Sequence, residues 1–366
     1  MAFPDIQAAI VPQMPRRKDF RIGCIGAGFI MRDCHLTAYR QAGFNPVAIA
    51  SRTPENARAV ARMHEIPTVY DTWQELIQSP SIEILDIAFP PDQQLEIVRE
   101  AVKQPHILGI LCQKPLAMNL EEAREIVRLC AEAGKALAVN SNMRYDQSMR
   151  ALKALLDHDC LGEPVLATIE MRAIPHWQDF LRQYQRIELL NMGIHHNDIF
   201  RFLFGDPEAV TAVARTDPGT PFQHLDGITQ YTFHYEGGLL ATSLDDVWTG
   251  PREGAERDHY IKWRVEGTKG LAQGTIGWPS YPERVPSTLE WTSTETNGWV
   301  RPKWDGVWFP DAFVGTMAGL LRAVESHSEP EISGRDNLVT LAAVEACYLS
   351  IAEKRTVRLK DILEQG

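Results

Sequence analysis

Long apolar runs are missing from this sequence, and no uninterrupted stretch approaches the roughly 20 residues that a bilayer-spanning helix needs. A basic excess is missing too, since 37 Lys and Arg residues stand against 48 Asp and Glu residues and give a formal net charge of −11. That balance argues against a surface for nucleic acid or anionic membranes. The six cysteines show no paired spacing, so we expect reduced thiols in a cytoplasmic protein rather than a disulfide frame or a zinc site.

The length of 366 residues is large for one hydrophobic core, so two domains are expected. The first twenty residues contain three prolines, and their basic residues follow the weakly apolar part, which is not the order found in a signal peptide. We therefore expect residues 1–19 to form an arm, which is either an oligomer contact or disordered.

Residues 20–142 alternate short β-rich runs with helical patterns. This alternation predicts a nucleotide-binding type of α/β domain, in which a doubly wound parallel sheet is covered by helices. Strands are predicted at residues 21–25, 46–50, 84–88, 107–111 and 136–140.

Residues 143–366 have a different character. Strand-like alternations separated by glycine-rich turns extend from about residue 164 to residue 308, and helical patterns occur at 186–204, 311–326 and 335–354. They predict an α+β domain built on a large, mostly antiparallel sheet.

A glycine pair, Gly26 and Gly28, marks the point where the first strand turns into a helix. Glycines there allow a tight turn and let a pyrophosphate approach backbone N–H groups at the helix start. The third glycine of the dinucleotide pattern is absent, because Met31 takes its place. A plain strand-to-helix turn also fits, but the position in the first βα unit favours dinucleotide binding.

No acidic residue follows the second strand, where one would bond the 2′-hydroxyl of NAD. Ser51 and Arg52 stand there instead. A hydroxyl and a guanidinium suit the 2′-phosphate of NADP, whereas an arginine lying over the adenine would fit an NAD enzyme. The pair favours NADP over NAD.

A lysine follows the fourth predicted strand, in "ILGILCQKP", which ends in Gln113-Lys114-Pro115. Ligands of doubly wound sheets bind outside the carboxyl ends of the strands, and Lys114 follows its strand there. We expect its ammonium to hydrogen-bond a substrate hydroxyl and to stabilise the alkoxide that develops as hydride leaves carbon. A solvated surface lysine is the alternative.

A histidine lies on the helix predicted at 186–204, where Asn191, His195 and Asp198 are spaced to share one face. A neutral imidazole at position 195 can take the hydroxyl proton during oxidation and return it during reduction, while a packing or capping histidine is the alternative. The adjacent His196 points to another face, and no carboxylate is spaced to complete a zinc site, so no metal is expected.

Tryptophan is concentrated late in the chain, where seven of the nine fall between residues 248 and 308. Indoles stack on the C–H faces of sugar rings, and they also fill packed sheet faces or subunit interfaces. The segment 173–181 adds His176 and Trp177, which we expect to reach a substrate.

Together these motifs resemble the glucose–fructose oxidoreductase/inositol dehydrogenase (Gfo/Idh/MocA) family. The resemblance covers most of the chain from Phe20 to Leu359, and includes "IGCIGAGFI", "IAFPP", "QKPLAMNLEEAREIV", "GIHHNDIFRFLFG" and "VEGTKG". It implies an N-terminal Rossmann domain, followed by a domain whose sheet serves substrate binding and oligomerisation. It also implies a homo-oligomer, a dimer or a tetramer.

The resemblance implies roles for single residues as well. Lys114 would orient and polarise the substrate, and His195 would be the acid/base. Gln113 would touch the nicotinamide ribose, and Arg144 would lie near the cofactor. Further nucleotide contacts are implied at Phe29, Ile30, Ala88, Phe89, Pro90 and Gln94.

This chain departs from the family pattern at several of these positions. Gln113 replaces the usual glutamate, Gln94 takes a common histidine position, and Asn191 stands where many sugar and inositol dehydrogenases carry an aspartate. An amide cannot act as a base, so His195 would have to do the proton chemistry alone.

We therefore expect an NAD(P)-dependent oxidoreductase that transfers hydride between nicotinamide and a secondary alcohol or ketone of a sugar, glycoside or cyclic polyol. The family also contains enzymes that retain the cofactor and exchange hydride between two sugars, or that cleave a glycoside through transient oxidation, and both stay open. A non-catalytic nucleotide-binding sensor is the alternative from another class. The amides at Gln113 and Asn191 suit a sensor, whereas Lys114 and His195 argue against it.

Overall fold

The computed structural model describes residues 3–174, 179–248, 259–278 and 281–364. The chain forms two compact units. The first unit comprises residues 12–145 and 309–338, and the second comprises residues 1–11, 146–308 and 339–366. The chain therefore leaves the first unit after residue 145 and returns to it for thirty residues.

The N-terminal arm divides between the two units. Its helix α1 (Ile6–Ala9) belongs to the second unit, where the Phe3 ring lies 5.1 Å from the Trp291 ring. Further along the arm, the Arg17 guanidinium binds the Glu83 carboxylate at 2.8 Å within the first unit. Residues 3–11 and Arg17 thus contact their own chain.

The first unit is built on a six-stranded parallel sheet. Its strands are β1 (Arg21–Ile25), β2 (Asn45–Ala50), β3 (Thr68–Tyr70), β4 (Ile84–Ile87), β5 (Gly109–Cys112) and β6 (Ala136–Val139), in the order β3-β2-β1-β4-β5-β6. All neighbouring pairs are parallel. The strand order reverses between β1 and β4, and doubly wound sheets bind ligands at such a reversal.

Helices connect these strands in βα order. They are a π-helical turn (Ile30–His35) that continues as α2 (Leu36–Ala42), then α3 (Pro54–His64), α4 (Trp73–Gln78), α5 (Pro91–Ala101) and α6 (Leu120–Glu132). Side-chain caps begin two of them: Thr72 accepts from the Glu75 backbone N–H, and Asn119 accepts from that of Glu122. β4 and β5 are buried along their whole length, as expected for strands covered on both faces.

A late helix, α9 (Ala312–Ser326), completes the first unit. It packs closely over β5, because a Cβ on Gly109 would meet Val324 at 2.9 Å and Leu320 at 3.1 Å. A Cβ on Gly315 would lie 2.2 Å from the Tyr145 ring. Glycine at these two positions therefore permits the approach of the helix.

The second unit contains an eight-stranded sheet. Its strands are β7 (Pro164–Ala173), β8 (Ala209–Arg215), β9 (Ile228–His234), β10 (Leu240–Val247), β11 (Tyr260–Gly267), β12 (Gly270–Thr275), β13 (Thr288–Ser293) and β14 (Val357–Arg358), in the order β13-β12-β11-β7-β10-β9-β8-β14. β7 and β10 pair in parallel, and all other neighbours are antiparallel. The predicted fold class, a Rossmann domain and a domain on a large, mostly antiparallel sheet, is confirmed.

Alternate residues of this sheet are buried, so one face carries the core of the second unit. Trp263 fits on that face because its partner across the strands is Gly274, where a Cβ would lie 2.6 Å from the indole. The helices are α7 (Gln147–Asp157), α8 (Ile194–Phe204), α10 (Gly334–Glu353), which begins in the first unit, and α11 (Leu359–Leu363).

The six cysteines carry free thiols, and five of them are buried. Within the described ranges, no helix combines the length and the apolar content needed to cross a membrane.

Candidate functional site

The carboxyl ends of the central strands lie side by side in the first unit. Two hydrogen bonds of 2.8 Å continue their alignment beyond the strands, from the Gly26 N–H to the Ala50 carbonyl and from the Ala88 N–H to the Ile25 carbonyl. Residues that follow the strands therefore share one edge, as the sequence predicts. The last residues in register are Ile25 with Ala50 and Ile87, and Ile87 with Cys112.

The glycine turn leaves room for a dinucleotide at this edge. Gly26 has a φ of 117°, and a Cβ there would lie 2.5 Å from the Ala88 carbonyl oxygen. Gly28 is exposed, and a Cβ there would have no atom within 4 Å. Open space thus adjoins the start of the helix, where a pyrophosphate can reach backbone N–H groups. Phe29 and Ile30 follow directly and are half-buried.

Ser51 and Arg52 follow β2 at the same edge. Ser51 is half-buried, and Arg52 is exposed and forms no ion pair with any described residue. The guanidinium therefore remains available to an anion beside the second strand.

Gln94 of α5 shapes the loop that follows β5. It is fully buried, and its Oε1 accepts the Gln113 N–H at 2.8 Å. Its Nε2 donates to the carbonyls of Gln113, Pro115 and Leu116 at 2.9–3.1 Å. The side chain is thereby committed to the loop, and a contact between Gln94 and a nucleotide stays a prediction.

Lys114 lies in this loop and is half-buried. Burial lowers its pKa to about 7 from an ordinary value of 10.5, because low-dielectric surroundings disfavour the charged ammonium. Its backbone N–H donates to the Gln113 Oε1 at 3.1 Å. A lysine that titrates near neutral pH at the ligand edge of a doubly wound sheet is a candidate for proton or charge chemistry.

A buried polar network adjoins Gln113, and no sequence motif predicted it. His35 Nδ1 lies 2.7 Å from Asp86 Oδ2, and the Tyr39 hydroxyl donates to the same oxygen at 2.6 Å. His35 Nε2 lies 3.3 Å from Gln113 Nε2 and 3.1 Å from Asn140 Nδ2. The available signal was Asp86, an acidic residue within a short strand that is otherwise apolar.

Arg144 lies in a 3₁₀ turn (Asn142–Tyr145) after β6 and is buried. Its Nη2 donates to Asp336 Oδ2 at 2.6 Å, and its Nη1 donates to the Glu331 carbonyl at 3.4 Å. This pairing holds the guanidinium within the first unit, and its role beside a cofactor stays a prediction.

His195 lies in the second unit, near the start of α8. A π-helical turn (Leu189–Gly193), which contains Asn191, precedes this helix, and such turns are frequent at functional sites. The His195 ring is 3% exposed and meets Trp308 edge to face, with ring centres 5.3 Å apart. Trp308 in turn meets Trp278 at 6.3 Å. The imidazole is therefore held by aromatic packing.

His196 has different surroundings from His195. Its Nδ1 lies 2.6 Å from Asp245 Oδ1, and both residues are fully buried. Nearby Glu188 is also buried, and this burial, together with the negative charges of Asp245 and Asp226, raises its pKa well above its ordinary value. This carboxyl therefore favours its neutral form. Among the described residues, no His, Cys, Asp and Glu side chains form a group that could hold a metal ion.

The tryptophans of the second unit divide by burial. Trp263, Trp291 and Trp308 are at most 4% exposed, so they act as packing residues. Trp278 keeps part of its surface open. The predicted substrate contacts His176 and Trp177 lie outside the described residues.

Two family models match the chain. The model described as an oxidoreductase family with an NAD-binding Rossmann fold matches residues 20–141. The model of the GFO/IDH/MocA C-terminal domain matches residues 149–273. The two matches fall on the six-stranded sheet and on much of the eight-stranded sheet.

Similar proteins span nearly the whole chain. A D-apiose dehydrogenase from Paraburkholderia graminis is 29% identical over 350 residues, which cover 94% of this chain and 91% of the relative. An inositol 2-dehydrogenase from Rhizobium meliloti is 24% identical over 355 residues, with coverage of 93% and 99%. The crystal structure of an oxidoreductase from Agrobacterium radiobacter in complex with NAD+, L-tartaric acid and magnesium matches with a TM-score of 0.81 at 25% identity, covering 94% of this chain and 99% of that one. The protein is a member of the Gfo/Idh/MocA family, an oxidoreductase with an NAD-binding Rossmann fold that acts on CH–OH groups.

Proposed function

We propose that the protein is an NAD(P)-dependent oxidoreductase that transfers hydride between nicotinamide and a secondary alcohol or ketone of a sugar, glycoside or cyclic polyol. The observation that carries the proposal is the position of Lys114, which follows β5 at the strand edge that also carries the Gly26 turn. Burial there lowers the pKa of the lysine to about 7. The substrate class is supported by the relatives, because apiose and inositol are both polyhydroxy compounds.

Lys114 polarises the substrate oxygen in this proposal. Its ammonium donates a hydrogen bond to that oxygen and stabilises the negative charge that grows there during the reaction. When bound, the nicotinamide supplies the carbon that accepts or gives the hydride. Gln113, directly before the lysine, contacts the nicotinamide ribose.

His195 is the acid/base. Its neutral imidazole takes the hydroxyl proton during oxidation and returns it during reduction. Packing against Trp308 limits the motion of the ring, which favours proton transfer along a defined direction. Asn191 binds a substrate hydroxyl without exchanging a proton, because a side-chain amide does not titrate in this range.

A turnover screen tests the proposed function. It measures reduction of NAD+ and of NADP+ with a panel of sugars, glycosides and inositols. On the best substrate we expect Lys114→Ala and His195→Asn each to lower kcat by about 10²-fold or more, because each removes a group that acts on the reacting oxygen. Lys103→Ala is the control, since this exposed lysine pairs with Glu100 at the end of α5. Near-normal turnover of Lys114→Ala on that substrate would contradict the assignment.

The pH dependence of kcat/KM gives a second test. Because the ammonium form of Lys114 is the active form and its pKa is about 7, kcat/KM should fall by about tenfold per pH unit above neutral pH. Arginine keeps its charge to a far higher pH, so the residual activity of Lys114→Arg should lose this decline. If kcat/KM of Lys114→Arg still declines above pH 7, the decline belongs to the titration of another group.

The cofactor in this proposal is NADP in preference to NAD, and the exposed Arg52 beside the half-buried Ser51 supports it. We expect Arg52→Ala to lower kcat/KM for NADP+ by at least about tenfold and to change that for NAD+ by less than about threefold, because only NADP+ carries the 2′-phosphate. Arg58→Ala is the matched control, since this arginine on α3 already pairs with Asp71. An equal loss with both cofactors would indicate stacking of Arg52 on the adenine instead.

The protein is also proposed to be a homo-oligomer that associates through the open face of the eight-stranded sheet. Leu166, Leu240 and Leu244 are exposed there, and Leu166 and Leu240 stand opposite each other on β7 and β10. We expect sedimentation equilibrium to show a dimer or tetramer that Leu244→Lys dissociates, while the exposed Leu108 of the first unit tolerates the same change. A wild-type monomer would contradict this part of the proposal.

A further inference from the structure

The orientation of the Gln113 amide follows from one unambiguous donor. The Lys114 backbone N–H can only donate, and it points at a terminal atom of the Gln113 side chain 3.1 Å away. That atom must therefore be the oxygen. The NH₂ group of Gln113 then faces His35 Nε2 at 3.3 Å.

Asn140 is oriented by the same reasoning. One of its terminal atoms lies 3.3 Å from the Gln113 oxygen and 3.1 Å from His35 Nε2. If that atom of Asn140 were the amide oxygen, it would face the Gln113 oxygen with no proton between them. An NH₂ group in the same place donates both to the Gln113 oxygen and to His35 Nε2. His35 Nε2 consequently faces two N–H donors and acts as an acceptor.

The proton of His35 must therefore lie on its other nitrogen. Nδ1 is 2.7 Å from Asp86 Oδ2, which accepts the Nδ1–H together with the Tyr39 hydroxyl proton. His35 is 1% exposed and Asp86 is fully buried, so water does not compete for these bonds. An unpaired N–H or O–H donor in such surroundings is costly, and this arrangement gives the donors of the network an acceptor, while Asp86 Oδ1 and Asn140 Oδ1 have no partner among the described residues.

We propose that His35 is a positioning residue for Lys114: its ring, with the proton on Nδ1, accepts the amide donors of Gln113 and Asn140 and so fixes the oxygen that binds the Lys114 backbone N–H. Asp86 holds the ring in this tautomer. The inference rests on the proposed function only in treating Lys114 as the catalytic lysine. The tautomer itself is independent of the reaction.

This arrangement also gives a reason for glutamine at position 113. A glutamate would place a carboxylate oxygen where the amide NH₂ now faces Nε2. His35 would then need a second proton, and an imidazolium would lie between two carboxylates. Gln113 and the neutral ring thus form a matched pair, and exchanging one of them changes the protonation of the other.

Nitrogen NMR of protein labelled with ¹⁵N-histidine tests the tautomer, with His35 assigned from the signals that His35→Gln removes. At pH 7.5 we expect a protonated Nδ1 and an unprotonated Nε2. In Gln113→Glu both nitrogens should carry protons at the same pH. A wild-type signal from a protonated Nε2, or an unchanged His35 spectrum in Gln113→Glu, would overturn the proposal.

Kinetics of paired variants test the positioning role. His35→Leu removes the acceptor, and we expect kcat to fall at least about tenfold, with KM changed less than about threefold. His35→Gln restores an acceptor oxygen toward Gln113 and Asn140, and it should recover kcat to within about threefold of wild type. His64→Leu is the control, because His64 is a buried histidine of α3 in the same unit that has no hydrogen bond to Asp86, Gln113 or Asn140.

The two proposals can fail separately. If no sugar or polyol is turned over, the proposed function fails, and the NMR measurement alone decides the tautomer. If wild type is active and folded His35→Leu retains full kcat, the positioning role is wrong while the function stands. Should His35→Leu not fold, His35→Gln and Gln113→Glu still decide, because a positioning role requires the first to be active and the second to alter the pH profile of kcat.

Discussion

The parallel pairing of β1 with β4 and of β4 with β5 is the constraint on which the candidate site depends. It aligns Ile25, Ile87 and Cys112, so that the residues after them leave the sheet at one edge. The glycine turn, the "FPP" segment and the Gln113–Lys114 loop thereby become neighbours although up to 90 residues separate them in sequence. Hydrogen bonds between the Gln94 side chain and the backbone of Gln113 and Pro115 then fix the conformation of the loop after β5. The buried strand alone does not determine that conformation.

Burial of polar groups gives this edge its chemistry. Removing the Lys114 ammonium from water brings its pKa near neutrality, where a small change in surroundings alters its charge. The same low-dielectric interior strengthens the hydrogen bonds that connect His35 to Asp86 and Asn140, although one oxygen of each of these two residues has no partner among the described residues. The lowered pKa of the lysine and the order in the network have one physical origin, the exclusion of water.

The second unit holds its histidine in another way. Aromatic contacts fix the His195 ring, and a π-helical turn sets the start of α8. Glu188, Asp226 and Asp245 lie near the π-helical turn before this helix. Burial, together with the charges of the two aspartates, raises the pKa of Glu188 and favours its neutral form. The buried His196 contacts Asp245 of that acidic cluster, so the two adjacent histidines have different surroundings.

The sequence by itself determined the two-sheet fold, the positions of five parallel strands and the glycine turn, because apolar periodicity and turn residues are local signals. Lys114 and His195 could be proposed as site residues from local patterns as well, whereas Gln113 was proposed from the resemblance to the family. Only the tertiary structure decided that β3, three residues long, completes the sheet, that α9 packs over β5, and that His35 meets Asp86, Gln113 and Asn140. Those partners lie 51 to 105 residues from His35, and hydrogen bonds over such separations exist only once strand pairing has brought the groups together. The lowered pKa of Lys114 is also decided only by the tertiary structure. Neighbouring residues in the sequence do not show how much water the folded chain excludes from the lysine.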